Sequence, residues 1–397
     1  MGLKVILAGA AVALLSAAPA LAVDVKIGIL NDRSGVYADL SGQGSVIAAQ
    51  MAVDDFKAAD KGLNVQIVSA DHQNKPDIAS NIARQWYDQD GVDAIFDVPT
   101  SSAALAVSQV TKEKNKVFID SGAGSTDLVG KSCSPNTILW TYDTYALANG
   151  TARTLLKQGK SSWFFITADY AFGQALERDT TNIVKALGGS VVGDAKYPFP
   201  GSDFSSYLLQ AQASGAQIIG LANAGGDTVN TVKQAAEFGI TKGGQSLAAL
   251  LVFITDVNAM GLDTAQGLLV TSAFYWDRDD GSRAFAKAFA AKDNGKMPTM
   301  VQAGVYASVL DYLKAIDATK SKDSKTVLDW MKANPTDDPL FGKGSILANG
   351  RALHDMYLYQ VKAPSESKGP WDYYKLVNTI PASDAFQTVE QSGCKLQ

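Results

Sequence analysis

Two loops rich in small hydroxyl residues are the first segments of the sequence that could bind a ligand. Each follows an apolar, strand-like run of the chain. Hydroxyls and free backbone N–H groups at a helix N-terminus suit a carboxylate, although Ser and Thr also cap helices without any ligand. Two such loops on successive strands converge on one place, which favours a binding site over plain caps. The predicted contacts in these loops are Thr100, Ser101, Ser102, Ser121, Gly122, Ala123 and Ser125.

Aromatic, glycine and acidic residues in other loops could complete this site. Tyr37 follows the first strand, and Tyr170 and Phe172 follow an aromatic strand in the second half of the chain. Aromatic rings can clamp a flat or apolar group, but a ring packed on its own lobe fits each position equally well. Further candidates after later strands are Gly225, Asp227 and Asp256.

These loops belong to an alternation of apolar strands with amphipathic helices. In the first half, strands are predicted at 25–30, 65–68, 93–98 and 116–119, and helices at 44–57, 78–87 and 102–114. In the second half, helices at 145–158, 172–187, 205–213 and 228–238 alternate with strands at 162–167, 191–197 and 217–221. Repeated βα units predict an α/β fold with two doubly wound parallel-sheet lobes. Strands at 356–361 and 373–377 are predicted to form a closing hairpin.

The first 22 residues match a secretory signal peptide. Lys4 precedes an apolar run over 5–18, and Ala20-Leu21-Ala22 gives the small-residue pattern of a cleavage site. The run is shorter than the roughly 20 residues of a membrane span, so an uncleaved anchor is the weaker alternative. We predict a mature chain that begins at Val23, is secreted without membrane insertion, and is long enough for two domains.

The composition limits the chemistry available to the chain. Cys133 and Cys394 are its two cysteines, and an oxidising compartment favours a disulfide between them over two free thiols. His72 and His354 are isolated, so we predict neither a metal site nor a cofactor. The net charge is −5 and the sequence has no basic stripe, which argues against nucleic acid as a partner.

Enzyme interpretations find little support in these residues. The G-x-S-x-G pentapeptide of a secreted α/β hydrolase does not occur, and a Ser–His–Asp arrangement would have to use one of the two histidines. A dinucleotide motif is suggested only by Gly42 and Gly44, and its third glycine is missing. We therefore expect a binding protein, with a secreted α/β hydrolase as the enzyme alternative.

Together these segments resemble the leucine/isoleucine/valine-binding family of type I periplasmic solute-binding proteins, over essentially the whole mature chain. The resemblance rests on residues 30–35, 100–102, 121–128, 169–173 and 225–227, the last leading into 234–239. It implies a Venus-flytrap fold in the periplasm whose hinge closes on a small ligand. It also implies a monomer that serves the membrane permease of an ABC importer. The implied lobes are 23–142 plus 274–348 for lobe 1, and 143–273 plus 349–397 for lobe 2.

The resemblance implies a small carboxylate ligand but leaves its class open. Relatives that bind amino acids hold the α-ammonium with an acid from the second lobe, since an unpaired buried cation is very costly. That acid falls near Ile254 and Thr255, with Asp256 close by and Asp227 as the other candidate. Segments 132–137 and 140–143 resemble a branch of the family associated with aromatic acids. An amino acid and an aromatic or aliphatic acid both stay open, and a periplasmic sensor is the alternative function.

Overall fold

The first half of the chain forms one parallel sheet with its connecting helices. The computed structural model describes residues 23–396, and the predicted signal peptide, residues 1–22, lies outside that range. The strands are β1 (Val23–Asn31), β2 (Leu63–Asp71), β3 (Ala94–Asp97), β4 (Val117–Asp120) and β5 (Thr137–Leu139). The helices are α1 (Gly42–Phe56), α2 (Pro76–Asp88) and α3 (Ser101–Lys114). All neighbouring strands pair in parallel, in the order β2-β1-β3-β4-β5.

The next part of the chain repeats this arrangement around a second sheet. Its elements are α4 (Thr144–Lys157), β6 (Ser162–Ala168), α5 (Ala171–Ala186), β7 (Ser190–Tyr197), α6 (Ser205–Ala213), β8 (Ile218–Ala222), α7 (Gly226–Glu237), β9 (Ser246–Ala249), α8 (Ile254–Met260) and α9 (Leu262–Ala265). The four strands are parallel, in the order β7-β6-β8-β9. The predicted α/β class with two parallel-sheet lobes is therefore confirmed.

The last third of the chain adds to both lobes. Its elements are β10 (Leu269–Ser272), α10 (Asp280–Ala290), α11 (Met300–Thr319), α12 (Ser324–Ala333), β11 (Thr336–Asp338), β12 (Gly342–Ile346), β13 (Ala352–Leu353), β14 (Met356–Val361), β15 (Tyr374–Ile380), α13 (Ala382–Ala385) and α14 (Val389–Ser392). Helix α11 packs against α1 of the first lobe. Strands β10, β14 and β15 form an antiparallel sheet that contacts α4 of the second lobe. The predicted hairpin is thus confirmed as β14 and β15.

The short strands β3 and β4 occupy central positions in the strand order of the first sheet, and their burial accounts for these positions. All four residues of each strand are buried, as expected for parallel strands covered by helices on both faces. Asp97 and Asp120 are the last residues of these two strands and hold equivalent places at the carboxyl edge of the sheet. Across residues 23–396, no helix combines the length and the apolar character that spanning a membrane requires.

The chain passes between the two lobes three times, so three segments of the chain join the lobes. The passages lie between β5 and α4, between β10 and α10, and between β13 and β14. The lobe limits implied by the resemblance, 23–142 plus 274–348 and 143–273 plus 349–397, stay a prediction. The end of the chain contacts both lobes. Helix α13 packs against α4 of the second lobe. On the first-lobe side of the third passage, the side chain of Asn349 donates a hydrogen bond to the Ser392 hydroxyl at 3.2 Å.

The tail is fixed by the predicted disulfide. Cys133 and Cys394 are bonded, with their Cα atoms 5.8 Å apart and a sequence separation of 261. The bridge ties the last residues of the chain to a loop of the first lobe that follows β4. The predicted disulfide is therefore confirmed.

Removing this bridge is expected to lower stability markedly. The double variant Cys133→Ser/Cys394→Ser should lose about 2–5 kcal/mol of unfolding free energy, as small secreted domains do when a native bridge is lost. Denaturant unfolding of the wild type and the variant measures the loss. A thiol reductant serves as the control, since it should destabilise the wild type and leave the variant unchanged. Equal stabilities of the two proteins would contradict the prediction.

Candidate ligand-binding site

A small cavity lies between the two parallel sheets and is lined by residues from both lobes. The space left within this binding cavity is about 10 Å³ in this structure, room for about one water molecule. Five aromatic rings dominate its lining, and none of its ten lining residues is charged. They are Tyr37, Leu40, Pro99, Gly122, Tyr142, Tyr170, Phe172, Ala224, Leu251 and Phe253. Each follows the carboxyl end of a strand, in loops after β1, β3, β4, β5, β6, β8 and β9, which is where open α/β sheets bind ligands.

The two lobes touch each other around the binding cavity. The hydroxyls of Tyr37 and Tyr170 form a hydrogen bond from one lobe to the other. The ring of Phe199 stacks on that of Tyr170 with centroids 4.1 Å apart, and its centroid lies 5.5 Å from that of Tyr37. The N–H of Gly226 donates to the carbonyl of Val36 at 3.1 Å. These contacts hold the two lobes together beside the cavity, so the structure is a lobe-closed form.

Four of the thirteen predicted site residues line the binding cavity. They are Tyr37, Gly122, Tyr170 and Phe172. Gly225 lies at the lobe contact, because a Cβ on it would come within 2.5 Å of the Val36 carbonyl oxygen. The remaining predicted residues do not line the cavity, and their roles in ligand binding stay predictions.

The hydroxyls of the two predicted loops bond to groups of the protein in this structure. The Ser101 hydroxyl accepts hydrogen bonds from the N–H groups of Gly124 at 3.3 Å and Ser125 at 3.2 Å. The Thr100 hydroxyl donates to the side chain of Asn74, and the Ser125 hydroxyl accepts from the N–H of Asp127. Ser101 thus joins the two loops predicted to converge, and its oxygen holds them together inside the first lobe.

The other residues of these loops also face the protein. The Ser121 hydroxyl lies 3.4 Å from that of Ser308 on α11, and Ser102 is half-buried on α3. The N–H groups of Gly122 and Ala123 both donate to the Asp120 carboxylate at 2.9 Å. The loop amides expected to hold a ligand carboxylate are therefore occupied by a carboxylate of the protein.

Four helices begin at the edge of the binding cavity and lack side-chain caps. Helices α1, α3, α5 and α7 start after Ser41, Thr100, Tyr170 and Gly225, and none of these residues caps its helix through a side-chain hydrogen bond. Side chains cap α4, α10, α11 and α12, whereas α2 and α6, which contribute no residue to the cavity, also lack side-chain caps. Uncapped N-termini carry partial positive charge and free N–H groups. Together they make the cavity favourable for a negative group.

A buried carboxylate beneath the cavity explains why position 122 is a glycine. One oxygen of Asp97 accepts hydrogen bonds from the Ser41 hydroxyl at 2.7 Å and the Asn31 amide at 3.1 Å. A Cβ on Gly122 would lie 2.7 Å from the other oxygen of Asp97 and as close to the Cα of Pro99. Burial raises the pKa of Asp97 to about 6. Asp97 thus links Ser41 and Asn31 by hydrogen bonds beneath the cavity, but Asp97 is not itself a lining residue.

The two second-lobe acids considered as ammonium partners are engaged elsewhere. Asp227 accepts hydrogen bonds from the Tyr197 hydroxyl at 2.8 Å and from the N–H of Gly201 at 3.1 Å. Asp256 accepts from the N–H of Phe253 at 2.8 Å at the start of α8. Burial raises the pKa of Asp227 to about 6 and that of Asp256 to about 7. Neither acid lines the cavity.

Asp256 is expected to make stability depend on pH. Its pKa is about 7 in the folded protein and about 3.9 when unfolded, so the folded state holds a proton that the unfolded state has released between these values. The contribution of Asp256 to stability therefore falls as pH rises from 4 to 7, with a slope of up to about 1.4 kcal/mol per pH unit. Asp256→Asn keeps an oxygen for Phe253 and removes this contribution, so the stability of the variant should fall less steeply than that of the wild type. Unfolding of both proteins from pH 4.5 to 8 tests this, and parallel curves would contradict it.

Six lining residues are absent from the sequence-based candidates. They are Leu40, Pro99, Tyr142, Ala224, Leu251 and Phe253. Tyr142 lies at the first passage between the lobes, and its hydroxyl donates to the carbonyl of Gly122. The signal that could have identified Tyr142 in the sequence was an aromatic residue directly before the chain crosses to the other lobe. Phe253 lies three residues before Asp256 in the same loop, and of the two only Phe253 lines the cavity.

Comparisons with known proteins agree with this architecture. A family model described as periplasmic binding protein matches residues 24–370. A crystal structure of a periplasmic binding protein from Burkholderia mallei is 52% identical, with a TM-score of 0.92, covering 94% of this chain and 99% of that one. A branched chain amino acid ABC transporter periplasmic ligand-binding protein from Burkholderia xenovorans is 42% identical, with a TM-score of 0.83 and coverage of 94% and 99%. A Leu/Ile/Val-binding protein homolog from Brucella melitensis is 27% identical over 80% of this chain and 82% of that protein.

Proposed function

The chain belongs to the periplasmic binding protein family, and from this premise we propose that it captures a small aromatic or branched aliphatic monocarboxylate by closing its two lobes. It is a solute-binding protein of the ABC-transporter type. The observation that carries the ligand class is the binding cavity itself, which is aromatic, uncharged and surrounded by helix N-termini. We further propose export through the signal peptide, binding without catalysis, and delivery to the membrane permease of an ABC importer.

The helix N-termini support an anionic ligand. An isolated carboxylate taken out of water needs hydrogen-bond donors and positive potential. The uncapped starts of α3 and α5 supply both, because Pro99 precedes one and Tyr170 and Phe172 begin the other. The hydroxyls of Tyr37 and Tyr170 are bonded to each other, so the pair leaves one O–H free to donate to a ligand. The rings then cover the apolar part of the ligand.

A branched-chain amino acid is the second candidate, favoured by the description of the Burkholderia xenovorans relative. Its side chain would fit an apolar cavity, but its ammonium would need an acid. Asp227 and Asp256 are each bound to groups of their own lobe and do not line the cavity. The geometry therefore favours a carboxylate without an ammonium.

A thermal-shift titration of the mature protein tests the proposal. Ligands that bind only the folded form raise the unfolding midpoint by mass action. We expect benzoate and isovalerate to raise it and benzamide, which lacks the charge, to have little effect. A rise with leucine but not with either acid would favour the second candidate. No rise with any probe would contradict the proposal.

The transport role is tested separately from binding. Deleting the gene should abolish uptake of the bound acid, and restoring the wild type should recover it. Normal uptake with loss of a transcriptional response to the acid would instead support the periplasmic sensor. Recovery of the acid unchanged after incubation with the protein checks that binding is not followed by catalysis.

A further inference from the structure

The two lobes also meet along helix α5 of the second lobe and the loop that follows β4 in the first lobe. This interlobe seam joins residues 124–127 of the loop to residues 172–179 of the helix. At one end, a Cβ on Gly124 would lie 2.9 Å from the ring of Phe172, so the loop approaches the helix closely there. The other end is polar. Because Gly122 and Phe172 line the binding cavity, the seam continues directly from the cavity.

The polar end of the interlobe seam is centred on the buried carboxylate of Asp179. One of its oxygens accepts hydrogen bonds from the Thr126 hydroxyl at 2.7 Å and the Thr144 hydroxyl at 2.6 Å. Its other oxygen accepts from the Nε of Arg178 at 2.9 Å. Thr126 belongs to the first lobe and Asp179 to the second, so separating the lobes at the seam breaks a hydrogen bond to a buried carboxylate. Such a loss is costly until water replaces the donor.

Arg178 extends this network to an acid of the first lobe. Its guanidinium donates to the Asp127 carboxylate at 3.0 Å and to the Thr126 hydroxyl at 2.7 Å. The positive charge therefore lies between Asp127 of the first lobe and Asp179 of the second. The Arg178 side chain keeps 41% of its surface exposed, so dissolved salt screens its ion pair with Asp127.

We infer that Arg178 and Asp179 are positioning residues that hold the lobes closed and so set the affinity and the release rate of the bound solute. This rests on the proposed function, since the ligand must bind as the lobes close. Neither residue lines the binding cavity, so both act on every ligand alike. They act through the two elements that carry the lining residues Phe172 and Gly122. Apparent affinity rises with the population of the binding-competent form, which these contacts increase.

Titration of Arg178→Met with benzoate, by calorimetry and by stopped flow, tests the inference. We expect the affinity to fall about 3- to 10-fold, as the loss of a partly exposed ion-pair network implies. The loss should appear as faster dissociation, because closure retains the ligand after it has entered. Isovalerate should lose affinity by the same factor. Arg178→Lys, which keeps the charge but not the forked geometry, should recover part of the affinity.

Arg84→Met is the matched control for the loss of an arginine ion pair. Arg84 pairs with Glu113 at 2.7 Å, has a similarly exposed side chain, and both residues belong to the first lobe. This variant should bind benzoate as the wild type does. Equal losses of affinity in Arg84→Met and Arg178→Met would overturn the inference, because the effect would then not depend on contact between the lobes.

Ionic strength separates a role in closure from a purely structural one. Raising the salt from about 0.03 M to about 1 M screens the pair of Arg178 and Asp127. The ratio of wild-type to Arg178→Met affinity should therefore shrink towards one, whereas the ratio for Arg84→Met should stay at one throughout. If Arg178→Met folds poorly, Asp179→Asn serves instead, since it keeps an acceptor for the Thr126 hydroxyl and removes the charge.

The outcomes distinguish this inference from the proposed function. Wild-type affinity in both Arg178→Met and Asp179→Asn would overturn the inference and leave the proposed function standing. A loss for benzoate that spares isovalerate would also overturn it, because residues outside the cavity cannot tell the two acids apart. If leucine binds in place of the acids, the proposed ligand class fails, and the same comparison made with leucine tests the inference. A wild type that binds none of the three would overturn both.

Discussion

The Gly225→Ala variant is expected to bind ligand about 10- to 100-fold more weakly than the wild type. Gly225 has φ +58° and precedes α7, where the second lobe meets the first. A Cβ there would lie 2.5 Å from the Val36 carbonyl oxygen and 2.9 Å from the Tyr37 ring. Both atoms belong to the opposite lobe and are present at that distance only when the lobes are closed. The substitution therefore raises the energy of the closed form, and the measured affinity falls with its population.

Gly239→Ala is the control for backbone strain alone. Gly239 also has positive φ, at +67°, and a Cβ on it would meet nothing within 4 Å. Both variants should lose some stability without ligand, since alanine is strained at positive φ. Calorimetric titration should show weakened binding in Gly225→Ala only. Equal affinities in the two variants would mean that the lobes do not close on the ligand at this contact.

The Arg351→Met variant is expected to lose about 3–5 kcal/mol of unfolding free energy. Arg351 is fully buried directly before β13, where it forms a β-bridge with Leu139 of β5. Its guanidinium donates to the carbonyl of Tyr142 at 2.9 Å and lies 3.6 Å from the Asp143 carboxylate. Its other face lies over the ring of Phe386, 4.6 Å from the centroid. Removing it leaves Asp143 as an uncompensated buried acid, whose pKa burial already raises to about 6.

A double-mutant cycle with Asp143→Asn isolates this interaction. Asn keeps an oxygen for the N–H of Ala146, which Asp143 accepts at 2.8 Å to cap α4. The double variant should therefore be more stable than the sum of the two single changes predicts, since no buried charge is left unpaired. Strict additivity, measured by denaturant unfolding, would contradict the role given to this pair. Ligand affinity should also fall in Arg351→Met, because Tyr142 lines the binding cavity.

The fold was predictable where local pattern and burial agree. Strands such as β3 and β4 are continuous apolar runs, and α5 ends before paired glycines, so the βα alternation is visible in the sequence. The pattern predicts no elements between residues 239 and 355. Helix α11 lies there, and 15 of its 20 residues are buried, so it lacks the polar face that marks an amphipathic helix. Strands β11 to β13 are too short to show alternation.

The binding site was predictable in its loops but less so in its side chains. The rule that ligands bind beyond the carboxyl ends of strands selected the loops of Tyr37, Gly122 and Tyr170, and these three residues line the cavity. It could not show that the Ser101 hydroxyl bonds to the neighbouring loop, because that partner is 23 residues away in sequence. Tyr142 and Phe253 reach the cavity from opposite lobes, so their approach depends on closure, which no local pattern encodes.

Isothermal titration of the mature protein with benzoate and with leucine is the most direct test of an aromatic, anion-selective cavity. The structure predicts saturable binding of one benzoate per chain, with a negative heat-capacity change as the rings bury the ligand. It predicts no comparable heat from leucine, whose ammonium meets no acid among the ten lining residues. Tight binding of leucine together with no binding of benzoate would contradict the account.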